Sequence, residues 1–535
     1  ALLLLCAAYV LPGVFGRDPW RNADLSAFGM MLAIAEGRTP WLTPTLGGWP
    51  AETALLPHWL GAWSIQLMSP LLDPALAARL PFALLLALTL ALVWYTTFHL
   101  ARTDAAQPVA FAFGGEAEPV DYARALADGA LLATIATLGL LQLGHETTPE
   151  LVQLSEVALL MWSLAAAPFR TRNARLGATA ALISLALSGA PTMATGFGLV
   201  ALLTCWRSRY PSVRSLAPWL LAGLLAAAGL AVLFSAWHWR VALPAGADGW
   251  FSLVQQLLWF CWPVWPLALW TLWRWRHHLQ DRHIAVPLGT AVVALVTTVA
   301  MGGWDRPLML AVPGLAVLAA FALPTLQRSA GAAIDWFSVF FFSISALVAW
   351  VIYLSMQTGV PAQPLANIVR LAPGFQPSFS ALALWVAAAG TAAWLWLVRW
   401  RTARHRHALW KSLVLPASGV TLAWLLAMSL WLPALDYARS PRPLVRQLAR
   451  VVPEGSCIRA PGLARPAVAA LEVFGHYDVR AIGHDATDGA AGCDVLLLQA
   501  RLPATRTPPP GWTLIAQLRR PTDRVELTWV FRRQP

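Results

Sequence analysis

Blocks of about 20 apolar residues recur along the chain between short polar breaks, each long enough to cross a bilayer as a helix. The clearest lie near 80–100, 124–143, 151–169, 217–237, 251–273, 284–302, 306–325, 336–355, 378–399 and 411–432. A shorter block opens the chain, and Leu176–Trp206 reads as a short pair of spans. Leu55–Leu72 is apolar enough to touch lipid, but the spans on either side leave it no crossing, so it reads as a helix lying on the membrane surface. After Trp431 the pattern changes. Alternating runs at Ser456–Arg459, Asp478–Ile482, Asp494–Gln499, Trp512–Gln517 and Glu526–Arg532 predict strands, with a helix over Ala464–Phe474 between the first two. The expected domains are therefore a transmembrane part over 1–433, with a large first loop at 17–79, and a small α/β domain over 434–535.

Composition agrees with a membrane chain. Of 535 residues 58% are hydrophobic and 12% charged, a balance that no soluble domain can bury. Thirty tryptophans against seven tyrosines suit segment ends at a lipid interface, while packing between helices accounts for part of them. The net charge of +12 is mostly arginine, and in such a chain it reflects cytoplasmic loops rather than a nucleic-acid partner. Basic clusters at Arg170–Arg175, Arg207–Arg214, Arg274–Arg282 and Arg399–Lys411 mark those loops. Threading the spans between them requires about 13 crossings, a cytoplasmic N-terminus, and an outer face carrying residues 17–79 and the C-terminal domain. The opening apolar run meets an Arg-Asp-Pro-Trp turn rather than small residues, so a span is expected there rather than a cleaved signal peptide.

The first outer loop reads Gly16-Arg-Asp-Pro-Trp-Arg-Asn-Ala-Asp24-Leu-Ser-Ala-Phe, continues as an apolar helix to Glu36-Gly37, then runs Trp41-Leu-Thr-Pro-Thr-Leu-Gly-Gly-Trp-Pro-Ala-Glu52. An acid just after a span, a short helix, a small-residue turn and a second acid resemble the first periplasmic loop of the C-type glycosyltransferase superfamily. Within it the bacterial aminoarabinose transferases and protein O-mannosyltransferases are the nearest in pattern. Asp24 matches the first acid, Gly37–Pro44 the Gly-to-Trp-to-Pro stretch, Glu52 the later acid, and Pro57-His58-Trp59 the start of the surface helix. The motif match spans about residues 12–80, and the span count and outer C-terminal domain match in architecture. The resemblance implies an all-α polytopic membrane protein of the C-type glycosyltransferase fold with a periplasmic active site. It implies Asp24 as general base toward an acceptor hydroxyl, with Glu52 beside it. Asp24 also reads as the N-cap of a helix starting at Leu25, and Glu52 as a solvated loop acid. Two positions depart from the family pattern. Leu25 stands where the second acid of the pair is expected, and Thr53 where a lysine commonly follows the later acid. The first departure weakens the case for a divalent metal, so no cofactor is assigned.

Two further outer clusters are candidates for the same cavity. Gly144-His-Glu-Thr-Thr-Pro-Glu150 opens a span whose face also carries Glu156, about 9 Å further along the axis. In related families the Thr-Pro-acid stretch faces substrate, which implicates His145, Glu146, Glu150 and Glu156. An ionisable group at the depth of Glu156 is functional, paired, snorkelling or protonated, and His145 reads equally as a cap or hydrogen-bond partner, without the spacing of a metal site. The second cluster, Gly302-Gly-Trp-Asp-Arg306-Pro, sits where related transferases place a basic residue. Arg306 is a candidate for the donor phosphate, or for a headgroup-level pair with Asp305. Arg240 and Arg370 are weaker candidates of the same kind.

Cys457 and Cys493 flank strand starts and are candidates for a disulfide in an oxidising compartment, or for two buried thiols; Cys6, Cys205 and Cys261 lie in or at spans. No glycine-rich nucleotide fingerprint or P-loop occurs, which suits a lipid-linked donor. The resulting expectation is an inner-membrane glycosyltransferase. Its partners would be a polyprenyl-phosphate sugar, membrane lipid and an envelope acceptor (lipid A, glycan or protein), with inversion at the anomeric carbon. Fourteen arginines against nine acids in 434–535 slightly favour an anionic acceptor or surface. A flippase of lipid-linked sugars and a non-catalytic envelope assembly protein are the alternatives.

Overall fold

The structure, a computed structural model, describes residues 1–20, 22–51, 54–107, 118–237, 241–402, 412–481, 493–501 and 508–534. The chain divides into two compact units that do not follow it in two blocks. The first holds residues 1–12, 82–346 and 386–426, and the second 13–81, 347–385 and 427–535.

Among the described residues, six helices are long and apolar enough to cross a membrane: Pro74–Ala101, Pro211–Leu233, Arg282–Ala300, Asp305–Thr325, Ser329–Thr358 and Ala381–Arg401. A seventh is the pair Val414–Ser429 and Leu432–Arg439, bent by 73°, if that pair is one span. The other expected spans fall short for physical reasons. Leu2–Val10 has 9 residues, Thr171–Leu187 and Pro191–Arg207 have 17 each, and Pro119–Ala136 carries Asp121, Arg124 and Asp128. The block expected over 251–273 is two helices, Gly246–Phe260 and Val264–Arg274, separated at the cis Trp262-Pro263 peptide.

The first unit is helical. At its centre Val312–Ala322 is buried along its whole length, which requires close neighbours on every side. Small residues supply the room: a Cβ at Gly314 would overlap the Pro287 carbonyl oxygen, and one at Gly129 would sit 2.6 Å from Leu323.

The second unit joins the first loop to the C-terminal residues. Strands β1 (Thr45–Leu46) and β2 (Trp49–Pro50) form a small hairpin in the loop. Five more strands, β3 (Cys457–Arg459), β4 (Asp478–Arg480), β5 (Val495–Arg501), β6 (Trp512–Leu518) and β7 (Glu526–Arg533), form one sheet in the order β4-β3-β5-β7-β6. β3 pairs in parallel with β4 and β5, and β7 antiparallel with β5 and β6. These strands and the Arg465–Gly475 helix fall on the alternating and helical runs read from the sequence. Cys457 and Cys493 are joined, Cα atoms 4.8 Å apart.

A single apolar cluster includes Leu25, Met30 and Ile34 of the Ala23–Ala35 helix together with Val468, Ala469, Val495 and Val530. The Ala23–Ala35 helix meets the Arg465–Gly475 helix so closely that a Cβ at Gly29 would lie 2.9 Å from the Ala469 Cβ. The hairpin is tied in as well: Ala481 N–H donates to Gly47 O (2.9 Å), and the Trp49 indole donates to Leu463 O (2.9 Å). Arg38 reaches across to the Glu472 carboxylate. The 13-residue Leu56–Met68 helix buries Pro57, His58, Gly61, Ala62 and Ile65 and exposes Trp63 and Leu67. At about 20 Å it is too short to cross a bilayer, as the surface-lying expectation requires.

Candidate functional site

Asp24, His58 and Arg370 belong to the second unit, and His145, Glu146, Glu150, Glu156 and Arg306 to the first. Glu52 and Arg240 lie outside the described residues.

Asp24 is the second residue of the Ala23–Ala35 helix, not its N-cap; the cap position is Asn22, at φ 78°. Its carboxylate turns back over the preceding loop and accepts the Trp20 backbone N–H at Oδ2 (3.1 Å), while Arg17 Nη2 stands 3.4 Å from the same oxygen. Asp24 is 1% exposed. Burial of that depth keeps a carboxylate charged only where cations and donors compensate it, and here Arg17 and Arg79 do so.

Around this acid lies a network that the motif reading does not contain. The Arg17 guanidinium lies 4.7 Å from the Trp20 ring centroid and the Arg439 guanidinium 4.8 Å from it. Trp20 donates its indole N–H to Asp436 Oδ1 (2.6 Å), and Asp18 N–H donates to both Asp436 oxygens (3.3 Å each). Asp18 in turn takes a forked pair of bonds from Arg442 (2.9 and 2.6 Å) and one from Ser440 Oγ (2.8 Å). Burial alone would raise the Asp18 carboxyl. The Arg442 and Ser440 hydrogen bonds and the Arg442 and Arg79 charges outweigh it, so Asp18 is held below the usual carboxylate range. Four arginines (17, 79, 439, 442) and three aspartates (18, 24, 436) meet in this network, with Asp73 acting on Arg442 from its rim. Arg79 carried a legible signal, a cation at the edge of an apolar stretch. Asp436 and Arg442 carried none, because their partners lie more than 400 residues away.

His58 is 6% exposed, and its Nδ1 has no hydrogen-bond partner among the described residues. Burial, with a smaller push from the Arg465 charge, lowers its pKa from 6.5 to about 4 despite a hydrogen bond to the Ala54 backbone. Arg370 is exposed and donates to Asn367 Oδ1 (3.2 Å).

In the first unit Arg306 pairs with acids from another segment rather than with its neighbour Asp305, which adds only a charge effect. Its Nη2 donates to Glu146 Oε2 (2.7 Å) and its Nη1 to Glu150 Oε2 (3.4 Å), and Gln142 donates to Glu146 Oε1 (2.8 Å). Sequence reading placed these three charged residues in two separate clusters; the structure makes them one clamp. His145 is spent inside the protein. Its Nδ1 faces Leu141 O (2.9 Å), its Nε2 faces Tyr9 O (2.8 Å), and its ring packs on Tyr9 and Trp424. Glu156 has a buried Oε2 with no hydrogen-bond partner among the described residues. Among the described residues, no group of three His, Cys, Asp or Glu side chains is arranged to hold a metal ion.

The whole chain superposes on one known architecture. The fold is that of ArnT from Cupriavidus metallidurans. Its crystal structure bound to undecaprenyl phosphate matches with a TM-score of 0.65 at 13% identity, over 99% of this chain and 96% of that one. The apo structure of the same protein matches with a TM-score of 0.60 at 14% identity over the same shares. No protein-family model and no curated protein matches the chain. The likeness therefore establishes a polytopic helical membrane fold.

Proposed function

We propose that the protein is an inner-membrane glycosyltransferase that moves a sugar from a polyprenyl-phosphate donor to an envelope acceptor at the periplasmic face. The observation that carries this reading is Asp24, an acid buried among arginines in the first loop of a chain with the ArnT fold, one structure of which holds undecaprenyl phosphate. About 13 crossings, a cytoplasmic N-terminus and an outer second unit complete the proposed topology.

Asp24 takes the proton of the acceptor hydroxyl as its oxygen attacks the anomeric carbon. The bond from that carbon to the phosphate oxygen breaks with its electron pair on the phosphate, and configuration inverts. Arg17 and Arg79 are the cations best placed for that charge. Arg17 has a double role in this scheme. It neutralises Asp24 before substrate arrives, and a phosphate that draws it away leaves Asp24 more basic. Arg306 serves the donor phosphate only if phosphate displaces Glu146 or Glu150. Those two acids, with His145, Glu156, His58 and Arg370, are secondary candidates for substrate contact, and Glu52 for assistance to Asp24. The Cys457–Cys493 bond suits an oxidising periplasm.

The test uses membrane vesicles of both orientations carrying radiolabelled polyprenyl-phosphate sugar. Wild type is expected to transfer label to an envelope acceptor and Asp24→Asn to lose about 100-fold or more of that rate. Label that changes leaflet without changing carrier overturns the enzyme and favours a flippase.

A further inference from the structure

The position where the family pattern calls for a second acid is Leu25, and the structure explains why no acid stands there. Leu25 is fully buried in the apolar cluster that joins the first loop to the C-terminal helix and sheet. A carboxylate at that position would enter an uncompensated core. A different acid stands beside Asp24's loop. Asp436 lies on the Leu432–Arg439 helix, just beyond the 73° bend, and it grips the loop from the opposite end of the sequence.

Trp20 is the link. Its backbone N–H goes to Asp24 Oδ2 (3.1 Å) and its indole N–H to Asp436 Oδ1 (2.6 Å), so one residue is anchored between two carboxylates. The charges are shared as well. Arg17 pairs with Asp24 and acts on Asp436, and Arg79 feels Asp24, Asp436 and Asp18 together. We propose that Asp436 is a positioning residue for this loop, one that fixes Trp20 beside Asp24 and takes a share of the Arg17 charge. The inference deepens the reading of Asp24 as general base and rests on it.

The two effects separate by substitution. Asp436→Asn keeps an acceptor for the indole but removes the charge; Asp436→Ala removes both. With the charge gone, Asp24 loses both a competitor for Arg17 and the repulsion between the two carboxylates. Both changes lower the proton affinity of Asp24, so the chemical step slows while donor binding is spared. Loss of the acceptor also frees the Trp20 indole and so loosens the residue whose backbone N–H Asp24 holds.

The full chain in detergent or proteoliposomes serves both measurements. Hydrogen exchange at the Trp20 amide is expected to rise about tenfold or more in Asp436→Ala and to stay within about threefold of wild type in Asp436→Asn. In the label-transfer assay kcat is expected to fall about tenfold or more in both variants, with the donor KM within about threefold. Adding Asp436→Asn to Asp24→Asn is expected to cost nothing further, since the two act on one step. Unchanged Trp20 protection in Asp436→Ala overturns the positioning role, and full kcat in Asp436→Asn overturns the charge role. If wild type transfers no label, the transferase reading fails by itself, and the exchange measurement still decides whether Asp436 holds Trp20.

Discussion

Removing Arg306 tests whether the first-unit clamp serves the fold or the substrate. The arginine side chain is 17% exposed, and its partners differ: Glu146 is 5% exposed at 2.7 Å, Glu150 24% exposed at 3.4 Å. Two unit charges about 4 Å apart attract by about 4 kcal/mol at the effective dielectric of a protein near its surface. That gain is largely offset by the desolvation of both ions, so the pair itself adds little net stability. Breaking it from one side is a different matter, because a buried charge is then stranded. Arg306→Met takes the Arg306 charge away from Glu146, which keeps its Gln142 hydrogen bond, and the expected loss is about 3–5 kcal/mol. Glu150→Gln removes the longer, wetter contact and is expected to cost less than about 1 kcal/mol. The double variant Arg306→Met with Glu146→Gln removes both charges and is expected to return within about 1–2 kcal/mol of wild type. Thermal or denaturant unfolding of the purified protein in one detergent ranks the four. Arg306→Met as stable as the double variant would refute the reasoning. Label transfer then divides the roles. A stable double variant that transfers no label, beside a Glu146→Gln variant that does, assigns Arg306 to the donor phosphate, and one that recovers transfer assigns it to neutralising Glu146.

Two further outcomes follow from the second unit. Gly29→Ala is expected to destabilise the packing of the Ala23–Ala35 helix on the Arg465–Gly475 helix by about 1–3 kcal/mol, because the new methyl would lie 2.9 Å from the Ala469 Cβ; faster proteolysis of the C-terminal residues would report it, and unchanged resistance would refute it. His58 is neutral in the fold, with its pKa lowered from 6.5 to about 4 by burial, while the unfolded chain takes up the proton below 6.5. Its contribution is therefore complete above pH 6.5 and falls as pH drops toward 4, by up to about 3 kcal/mol. The acid loss of stability is expected to be shallower in His58→Gln, and an unchanged slope would place the acid sensitivity elsewhere.

What could be read ahead of the structure follows how local the physics is. Short apolar runs bounded by turn residues decide a strand within a few residues, and the five strands of the C-terminal sheet lie on such runs, β5 and β7 buried continuously rather than on alternate positions. Length and apolarity decide a long span, which is why Arg282–Ala300 and Asp305–Thr325 fall close to expectation. The block over 251–273 looks the same by composition, yet it divides at Trp262-Pro263 into helices of 15 and 11 residues. An apolar block reports its preference for lipid without reporting whether one axis runs through it. The partner of Arg306 was invisible for a different reason. Asp305 is its neighbour in sequence, but on a helix adjacent side chains diverge by about 100°, so a partner from another helix wins.

The same logic decides where a site can be recognised at all. Asp24 was legible because it stands in a local motif after a span, and that stretch also holds Trp20 and Arg17, which touch it, but not the carboxylate on the far side of Trp20. Arg17 is seven residues away; Arg79 and Asp436 are 55 and 412 residues away by number. In a membrane chain the loop between two spans is held by whatever the other loops bring to the same face, and only the fold sets which those are. An unusual residue at a motif position, such as Leu25, is therefore poor evidence for lost activity when read alone. Its burial at 0% exposure shows that the position has been given to packing, and Asp436 shows that a carboxylate has been brought to the loop from the far end of the chain. If the double variant Asp24→Asn with Asp436→Asn is no slower than Asp24→Asn alone, these two acids work as one unit, though neither the motif nor the spacing joins them.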